Sequence, residues 1–322
     1  MIVVTGGAGF IGSAFVWKLN ELGMEDIVVV DELGHDDKWR NLVNRRYVDY
    51  LHKDAFLDLV MDDDVPFEVD AVVHMGACSS TTETDADYLM ENNYRYTLTL
   101  CTWCLEKGAR FINASSAATY GDGSLGFSDD DALTPVLKPL NMYGYSKQLF
   151  DIWSLKYGMA DKIASLKFFN VFGPNEYHKD DMMSVVCKAH TQIAETGRLK
   201  LFKSYREDYP DGGQKRDFVY VKDCVDVMVW LLEHTEVNGI FNVGTGKART
   251  WNDLAAAVFA AMGRDTAVDY IDMPEALRGK YQYFTQAGMA KLKAAGCPVE
   301  FMSLEDAVAD YVQHLEKDDP YL

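Results

Sequence analysis

Five residues from its start, the chain reads Gly6-Gly7-Ala8-Gly9-Phe10-Ile11-Gly12, four glycines in seven positions. The β-branched run Ile2-Val3-Val4 precedes it. Apolar residues at helical spacing (Phe15, Val16, Leu19, Leu22) follow and stop at Gly23, and Ile27-Val28-Val29-Val30 then ends at Asp31. Strand, loop, helix and strand within about 30 residues predict the βαβ unit of a parallel sheet. Gly7, Gly9 and Gly12 satisfy G-x-G-x-x-G, and Asp31 lies 31 − 12 = 19 residues past the last of them. Glycines at these positions permit a tight turn and let backbone approach a pyrophosphate at a helix N-terminus. A tight turn without a ligand is the plainer reading of the same residues.

The strand signal recurs at 71–74, 111–114 and 163–169, and helical spacing at 87–106 and 143–157. This alternation predicts an α/β fold, a doubly wound parallel sheet of Rossmann type. The pattern breaks after Gly173-Pro174, where 175–216 mixes charge, glycine and a helix near 184–196. A helix near 225–232 and a strand at 239–244 read as a return to the sheet, and 251–262 as an amphipathic helix. The expected organisation is a dinucleotide-binding domain of 1–174 and 222–247. A smaller α/β substrate-binding domain is assembled from 175–221 and 248–322. A length of 322 residues agrees with about two domains.

Lys and Arg number 31 against 50 Asp and Glu, a net charge of −19. That balance argues against a nucleic-acid protein, which would carry a basic face. It leaves an anionic small substrate open, because a few local cations outweigh a remote field. Apolar stretches such as 255–262 fall far short of the roughly 20 residues of a membrane span. No basic, apolar leader precedes the first strand, so a cytoplasmic protein is expected. Six cysteines give no disulfide framework. Cys101 and Cys104 read as small apolar groups on one helix face rather than a redox or metal pair, and no metal site is expected.

Asp31 is placed to accept from adenosine ribose hydroxyls, which favours NAD. Lys38, Arg40, Arg45, Arg46 and Lys53 stand near in sequence and could hold the 2′-phosphate of NADP, or be solvated surface charge. Tyr143 and Lys147 form Tyr-x-x-x-Lys, on one face of a helix. A lysine ammonium beside a phenol is expected to lower the tyrosine pKa and make an acid/base of it. Ser116, after the strand at 111–114, can hydrogen-bond the reacting oxygen.

Together these residues resemble the extended short-chain dehydrogenase/reductase family over essentially the whole chain. The resemblance implies that Ser116, Tyr143 and Lys147 act with a bound nicotinamide on a sugar carbon, with Asn92 and Asn93 near the nicotinamide region. Gly76 to Glu83, Ala114 to Tyr120, Asn141 to Lys147, Lys215 to Tyr220, Gly279 to Gln282 and Phe284 to Gln286 are similar to the branch of that family that inverts C6 of an ADP-heptose. That branch implies a tightly bound NADP, with NAD possible, a nucleotide-sugar substrate, and a homo-oligomer, often a pentamer.

By the same resemblance Gly6, Gly9, Phe10, Ile11, Gly12, Asp31, Glu32, Lys38, Lys53, Met75, Gly76, Ala77, Cys78, Ser79, Asn92, Tyr143, Lys147 and Val171 surround the cofactor. Ser116, Asn170, Lys179, Asp181, Lys188, Phe202, Lys203, Ser204, Tyr205, Arg216 and Tyr281 surround the substrate. Lys179 matches a second acid/base lysine. Inversion through a ketone puts the oxygen in two places, so a second such group is physically sensible; a phosphate-binding or surface cation is the plainer reading. Asp181 and Lys188 depart from the branch's residues. Arg216 suits a diphosphate oxygen, or an ion pair with Asp217. His74 is expected to be packed rather than catalytic, and His178 is undecided. Ser116 is followed by Ala117-Ala118, so the acid expected of a 4,6-dehydratase is missing. A UDP-hexose 4-epimerase remains an alternative, and a non-catalytic NADP-binding regulator another.

Overall fold

The computed structural model describes residues 1–278 and 281–322. Gly279 and Lys280, part of the similarity above, lie outside the described residues. The strands are β1 (Ile2–Thr5), β2 (Ile27–Asp31), β3 (Asp49–His52), β4 (Ala71–His74), β5 (Arg110–Ser116), β6 (Ala164–Phe168) and β7 (Asn170–Phe172). They continue with β8 (Leu199–Phe202), β9 (Lys215–Arg216), β10 (Phe218–Tyr220), β11 (Gly239–Val243), β12 (Arg249–Thr250) and β13 (Val268–Ile271). The helices are α1 (Phe10–Glu21), α2 (Lys53–Met61), α3 (Ala86–Leu89), α4 (Tyr96–Glu106), α5 (Met142–Lys156) and α6 (Val185–Thr196). After them come α7 (Val221–Glu233), α8 (Trp251–Ala261), α9 (Glu275–Arg278), α10 (Ala290–Ala294) and α11 (Leu304–Leu315).

Seven strands form one sheet in the order β11-β6-β5-β4-β1-β2-β3, and every pairing is parallel. The doubly wound sheet expected from the sequence is therefore present. Alternate residues of each strand supply its two buried faces. Val4, Val29, Val73 and Ile112 pack with α1 and α7. Val3, Val28, Val72 and Phe111 pack with Phe56 of α2, Leu100 and Trp103 of α4 and Phe150 of α5. Each such side chain contributes about 1.5–3 kcal/mol of burial. Cys101 and Cys104 are buried in the second face as free thiols.

Two elements escape the sequence pattern. β3 is an edge strand of half-exposed residues, and α2 follows it directly. The helix expected over 87–106 is continuous but not uniform, because Met90–Arg95 widens into a π turn between α3 and α4. Beyond the sheet, β7 pairs with β10, β9 with β12, and β8 with β13, while α6, α8 and α11 pack on one another.

Strand order reverses between β1 and β4, which opens a crevice at their carboxyl ends. There the glycine loop turns. Gly6 has φ +64°, and a Cβ on it would stand 2.5 Å from the Gly76 nitrogen. A Cβ on Gly12 would stand 2.1 Å from the Gly6 carbonyl oxygen. Gly12→Ala must therefore push α1 off the loop. We expect about 1–3 kcal/mol lost in urea unfolding and a purified protein without bound cofactor; a protein of unchanged stability that still carries cofactor would contradict this packing.

Candidate active site

Gly9 caps α1, so the first amides of a 12-residue helix point into the crevice. Asp31 braces the loop: Oδ2 accepts from the Ala8 amide at 2.9 Å, and Oδ1 accepts from Lys38 Nζ at 2.9 Å and the Glu32 amide at 2.7 Å. The Asn41 amide group donates to the Ala8 carbonyl at 2.8 Å. A cleft of about 580 Å³ opens here. It is lined by Gly6, Gly9, Phe10, Ile11, Gly12, Asp31, Lys38, Met75, Gly76, Ala77, Cys78, Ser79, Ser116, Tyr143, Lys147, Asn170, Val171 and Lys179, all expected from the sequence. His178, undecided from the sequence, also lines it, as do Ser80, Ala114, Ser115, Phe168, Phe169 and Met182, which were not expected to.

A second pocket, of about 330 Å³, has Asp31, Lys38, Gly76, Ala77 and Cys78 in common with the first and adds Glu32, Lys53 and Asn92. Lys53 donates to Glu32 at 2.9 Å and to Asn92 Oδ1 at 3.0 Å. Burial is the largest influence on Lys53 and works against its charge, but the hydrogen bond and the charge of Glu32 with its neighbours together raise its pKa, while Glu32 is lowered chiefly by the same bond. The glycine cradle, the free helix amides and these two lysines fit a nicotinamide dinucleotide.

At the opposite end, Ser116 closes β5 and Tyr143 opens α5. Asn141 caps α5 by accepting from the Gly144 amide at 2.8 Å. Gly144 is required, because a Cβ there would meet the Ala118 carbonyl at 2.7 Å. That close approach brings the tyrosine helix against the serine turn. The π turn has a counterpart role. Asn93 is wholly buried, accepts from the Cys78 amide at 2.8 Å, and donates to the Cys78 carbonyl at 2.9 Å and Ser146 Oγ at 3.1 Å. It thus ties the loop after β4 to α5, a role the sequence did not reveal.

The expected lowering of the Tyr143 pKa is not what the structure has. Burial pushes the phenol above its usual value, and the facing Ser116 hydroxyl only partly opposes this. Burial also lowers Lys147 to about 8, against the opposing charge of Asp151. For both groups desolvation is the largest influence.

Lys179 sits in a turn flanked by two non-glycine residues of positive φ, Asn175 at +76° and Asp180 at +45°, the kind of local strain found at functional sites. Its ammonium lies 5.3 Å from the centre of the Phe10 ring. Burial lowers its pKa, and the buried Glu176 works the other way. His178, beside it, is held down to about 4 by burial and is neutral. His74 is packed, as expected. Thr97 spends its hydroxyl proton on the Asn93 carbonyl at 2.7 Å, so His74 Nε2 donates to Thr97 at 2.8 Å and Nδ1 accepts from Thr5 at 2.6 Å. Burial holds this ring near 3, neutral throughout the physiological range.

Arg216 does not pair with Asp217. Asp217 instead accepts from the amides of Thr245, Gly246 and Ala287 and from the Thr245 hydroxyl, at 2.7–2.9 Å. Arg216 is buried and donates to the carbonyls of Lys215 and Gln282. Its guanidinium lies 5.1 Å from Tyr281 and 5.8 Å from Trp251. Burial lowers its pKa, and no carboxylate is bonded to it among the described residues. Such a cation is suited to receive an anion. Tyr205 lies under Arg278 at 4.0 Å and donates to Asp272, which also pairs with Lys203. Phe202 ends β8, and Ser204 donates its amide to Asp211. Lys188 donates to the Asp181 carbonyl at 2.6 Å and faces a separate groove beside Met183. Neither Asp181 nor Lys188 lines the main cleft.

Residues 2–244 match the model of the NAD dependent epimerase/dehydratase family. A curated relative from Nitratidesulfovibrio vulgaris (strain DP4), an ADP-L-glycero-D-manno-heptose-6-epimerase, is 69% identical over 100% of both chains. The crystal structure of the Helicobacter pylori enzyme of the same name matches with a TM-score of 0.81 at 28% identity, over 98% of this chain and 95% of that one. A Thermus thermophilus UDP-glucose 4-epimerase complexed with NAD matches with 0.75 at 25% identity, over 98% and 99%. The chain belongs to the NAD dependent epimerase/dehydratase family and, within it, to the ADP-L-glycero-D-manno-heptose-6-epimerases. Among the described residues no helix is long and apolar enough to cross a membrane, and no group of His, Cys, Asp and Glu is placed to hold a metal ion.

Lys147 carries its charge at a cost that is full below about pH 8 and fades as pH rises toward 10.5. The displacement corresponds to up to about 3 kcal/mol. Lys147→Met is therefore expected to stabilise the cofactor-free protein at pH 7 by up to that amount, with the gain vanishing near pH 10.5. Equal or lower stability at pH 7 by urea titration would show that the ammonium is not desolvated.

Proposed function

We propose that this protein inverts C6 of ADP-D-glycero-β-D-manno-heptose to give the L-glycero epimer, a step in making lipopolysaccharide inner-core precursors. The observation that carries the reading is the meeting of Ser116, Tyr143, Lys147 and Lys179 in one cleft with the glycine cradle. Identity of 69% over the full length supports the heptose substrate over a UDP-hexose. An intact acid/base set weighs against a non-catalytic regulator.

A bound nicotinamide supplies reversible hydride acceptance at the carbinol carbon. The chain supplies the rest. Ser116 donates a hydrogen bond to the reacting oxygen, and Tyr143 takes and returns its proton in one orientation of the sugar. Lys147 holds positive charge beside the phenol. After the keto sugar turns over, its oxygen lies elsewhere, and Lys179 exchanges the proton there. Arg216, with Tyr281 and Trp251 about it, receives the diphosphate. The units 1–174 with 222–247 and 175–221 with 248–322 divide cofactor from substrate binding. The cofactor is NADP, whose 2′-phosphate Lys38 and Lys53 would hold. The working form is a homo-oligomer.

Tyr143→Phe should lower kcat by about 10²–10⁴-fold while cofactor remains bound; activity like the parent's would refute the acid/base assignment. Lys179→Met should lower kcat comparably. A rise in KM alone would make Lys179 a binding cation. UDP-galactose should not be turned over by the parent enzyme. Lys53→Ala should weaken NADP by about tenfold or more and NAD little, by fluorescence titration of the cofactor-free protein; an equal loss for both would remove the 2′-phosphate role.

A further inference from the structure

Beneath the cleft lies an ion pair that the reaction scheme does not use. Asp151 and Lys167 are 3.3 Å apart, and both side chains are fully buried, as in no other pair among the described residues. Apolar residues of similar volume commonly hold a protein together as well as a buried ion pair or better. Stability alone is thus a weak account of charge at this place.

The partners of the pair give a better one. Asp151 Oδ2 accepts from Ser115 Oγ at 2.7 Å, next to Ser116, and Oδ1 accepts from Ser165 Oγ on β6 at 3.0 Å. Lys167 Nζ donates to Thr119 Oγ1 at 2.9 Å, and Thr119 donates in turn to the Ser116 carbonyl at 2.8 Å. Asp151 is one helical turn beyond Lys147 on α5, on the same face. Both ends of the pair thus reach the serine turn, and one end is carried by the helix of Tyr143 and Lys147.

Taking the catalytic roles of Tyr143 and Lys147 as above, we propose that Asp151 and Lys167 are positioning residues: they fix the serine turn against α5 and keep Lys147 cationic in a dry site. The titratable groups facing Lys147 are Asp151 and Tyr143 on its own helix, Cys78 on the loop after β4, and His74 at the end of β4. His74 is neutral and Cys78 is a free thiol. Asp151 is therefore the carboxylate that supports the ammonium, and Lys167 from β6 faces that carboxylate in turn.

The test uses holoenzyme and ADP-heptose. Asp151→Asn leaves Lys167 buried without a counter-charge and should lower the thermal midpoint. The paired variant Asp151→Asn with Lys167→Met removes both charges and should recover most of that loss. It should still show a kcat about 10- to 100-fold down, with KM and cofactor content near the parent's. In Asp151→Asn alone, the alkaline limb of the kcat–pH profile should move to lower pH, because Lys147 without Asp151 loses its proton sooner. A paired variant with the parent's kcat, or Asp151→Asn with the parent's pH profile, overturns the proposal. If the pair variants do not fold, Ser115→Ala, which removes only the 2.7 Å bond, should lower kcat without changing KM; an unchanged kcat overturns the proposal equally. Tyr143→Phe run in parallel separates the two levels. Full activity in Tyr143→Phe refutes the acid/base assignment itself, whereas an inactive Tyr143→Phe beside an unaffected pair variant refutes only the positioning role.

Discussion

The backbone of Gly6 runs so near Gly76 and Gly12 that neither Gly6 nor Gly12 has room for a side chain. From this contact follows the rest of the site. It brings the loop after β1 against the loop after β4, at the carboxyl ends of two paired strands. It also points α1 into the crevice and sets Phe10 under the Lys179 ammonium. A second close contact, Gly144 against the Ala118 carbonyl, does the same for the reacting end. The cofactor cradle and the acid/base group are thus both set by backbone approaching backbone, which is stiffer than any contact between long side chains.

The charge arrangement is local and runs against the whole. A chain of net charge −19 places Lys147, Lys179 and Arg216 in buried or half-buried positions where desolvation works against their charge. Lys38 and Lys53 are instead held by carboxylates. The roles proposed for the first group, proton exchange and anion binding, rest on that desolvation. Of the second group's carboxylates, Asp31 also accepts from the Ala8 and Glu32 amides.

Much of this was legible in the sequence where a short pattern carries a complete physical reason. The glycine loop with its flanking strands, the Tyr143–Lys147 spacing and the β-branched strands of the sheet are of that kind. What escaped depends on contacts distant in sequence or on small departures from regularity. β3 is an edge strand with no buried stripe to announce it. The π turn that seats Asn93 adds no distinctive residue to a helical pattern. Lys167 reads as a strand residue, and nothing local says that it meets Asp151 in the core. The Tyr143 pKa is raised, not lowered, because spacing along a helix reports a neighbouring lysine and says nothing of the burial that governs the phenol. The Arg216–Asp217 pair was open on adjacency, yet neighbours along a strand point to opposite faces.

The central claim is that a hydride leaves and returns to one carbon while the chain handles only protons. Proton NMR of the holoenzyme with ADP-D-glycero-D-manno-heptose in deuterated water tests it most directly. The account requires conversion to the L-glycero epimer with no deuterium at C6. Deuterium at C6 would contradict it and point to proton abstraction at carbon, and no conversion by a cofactor-loaded protein would contradict the substrate.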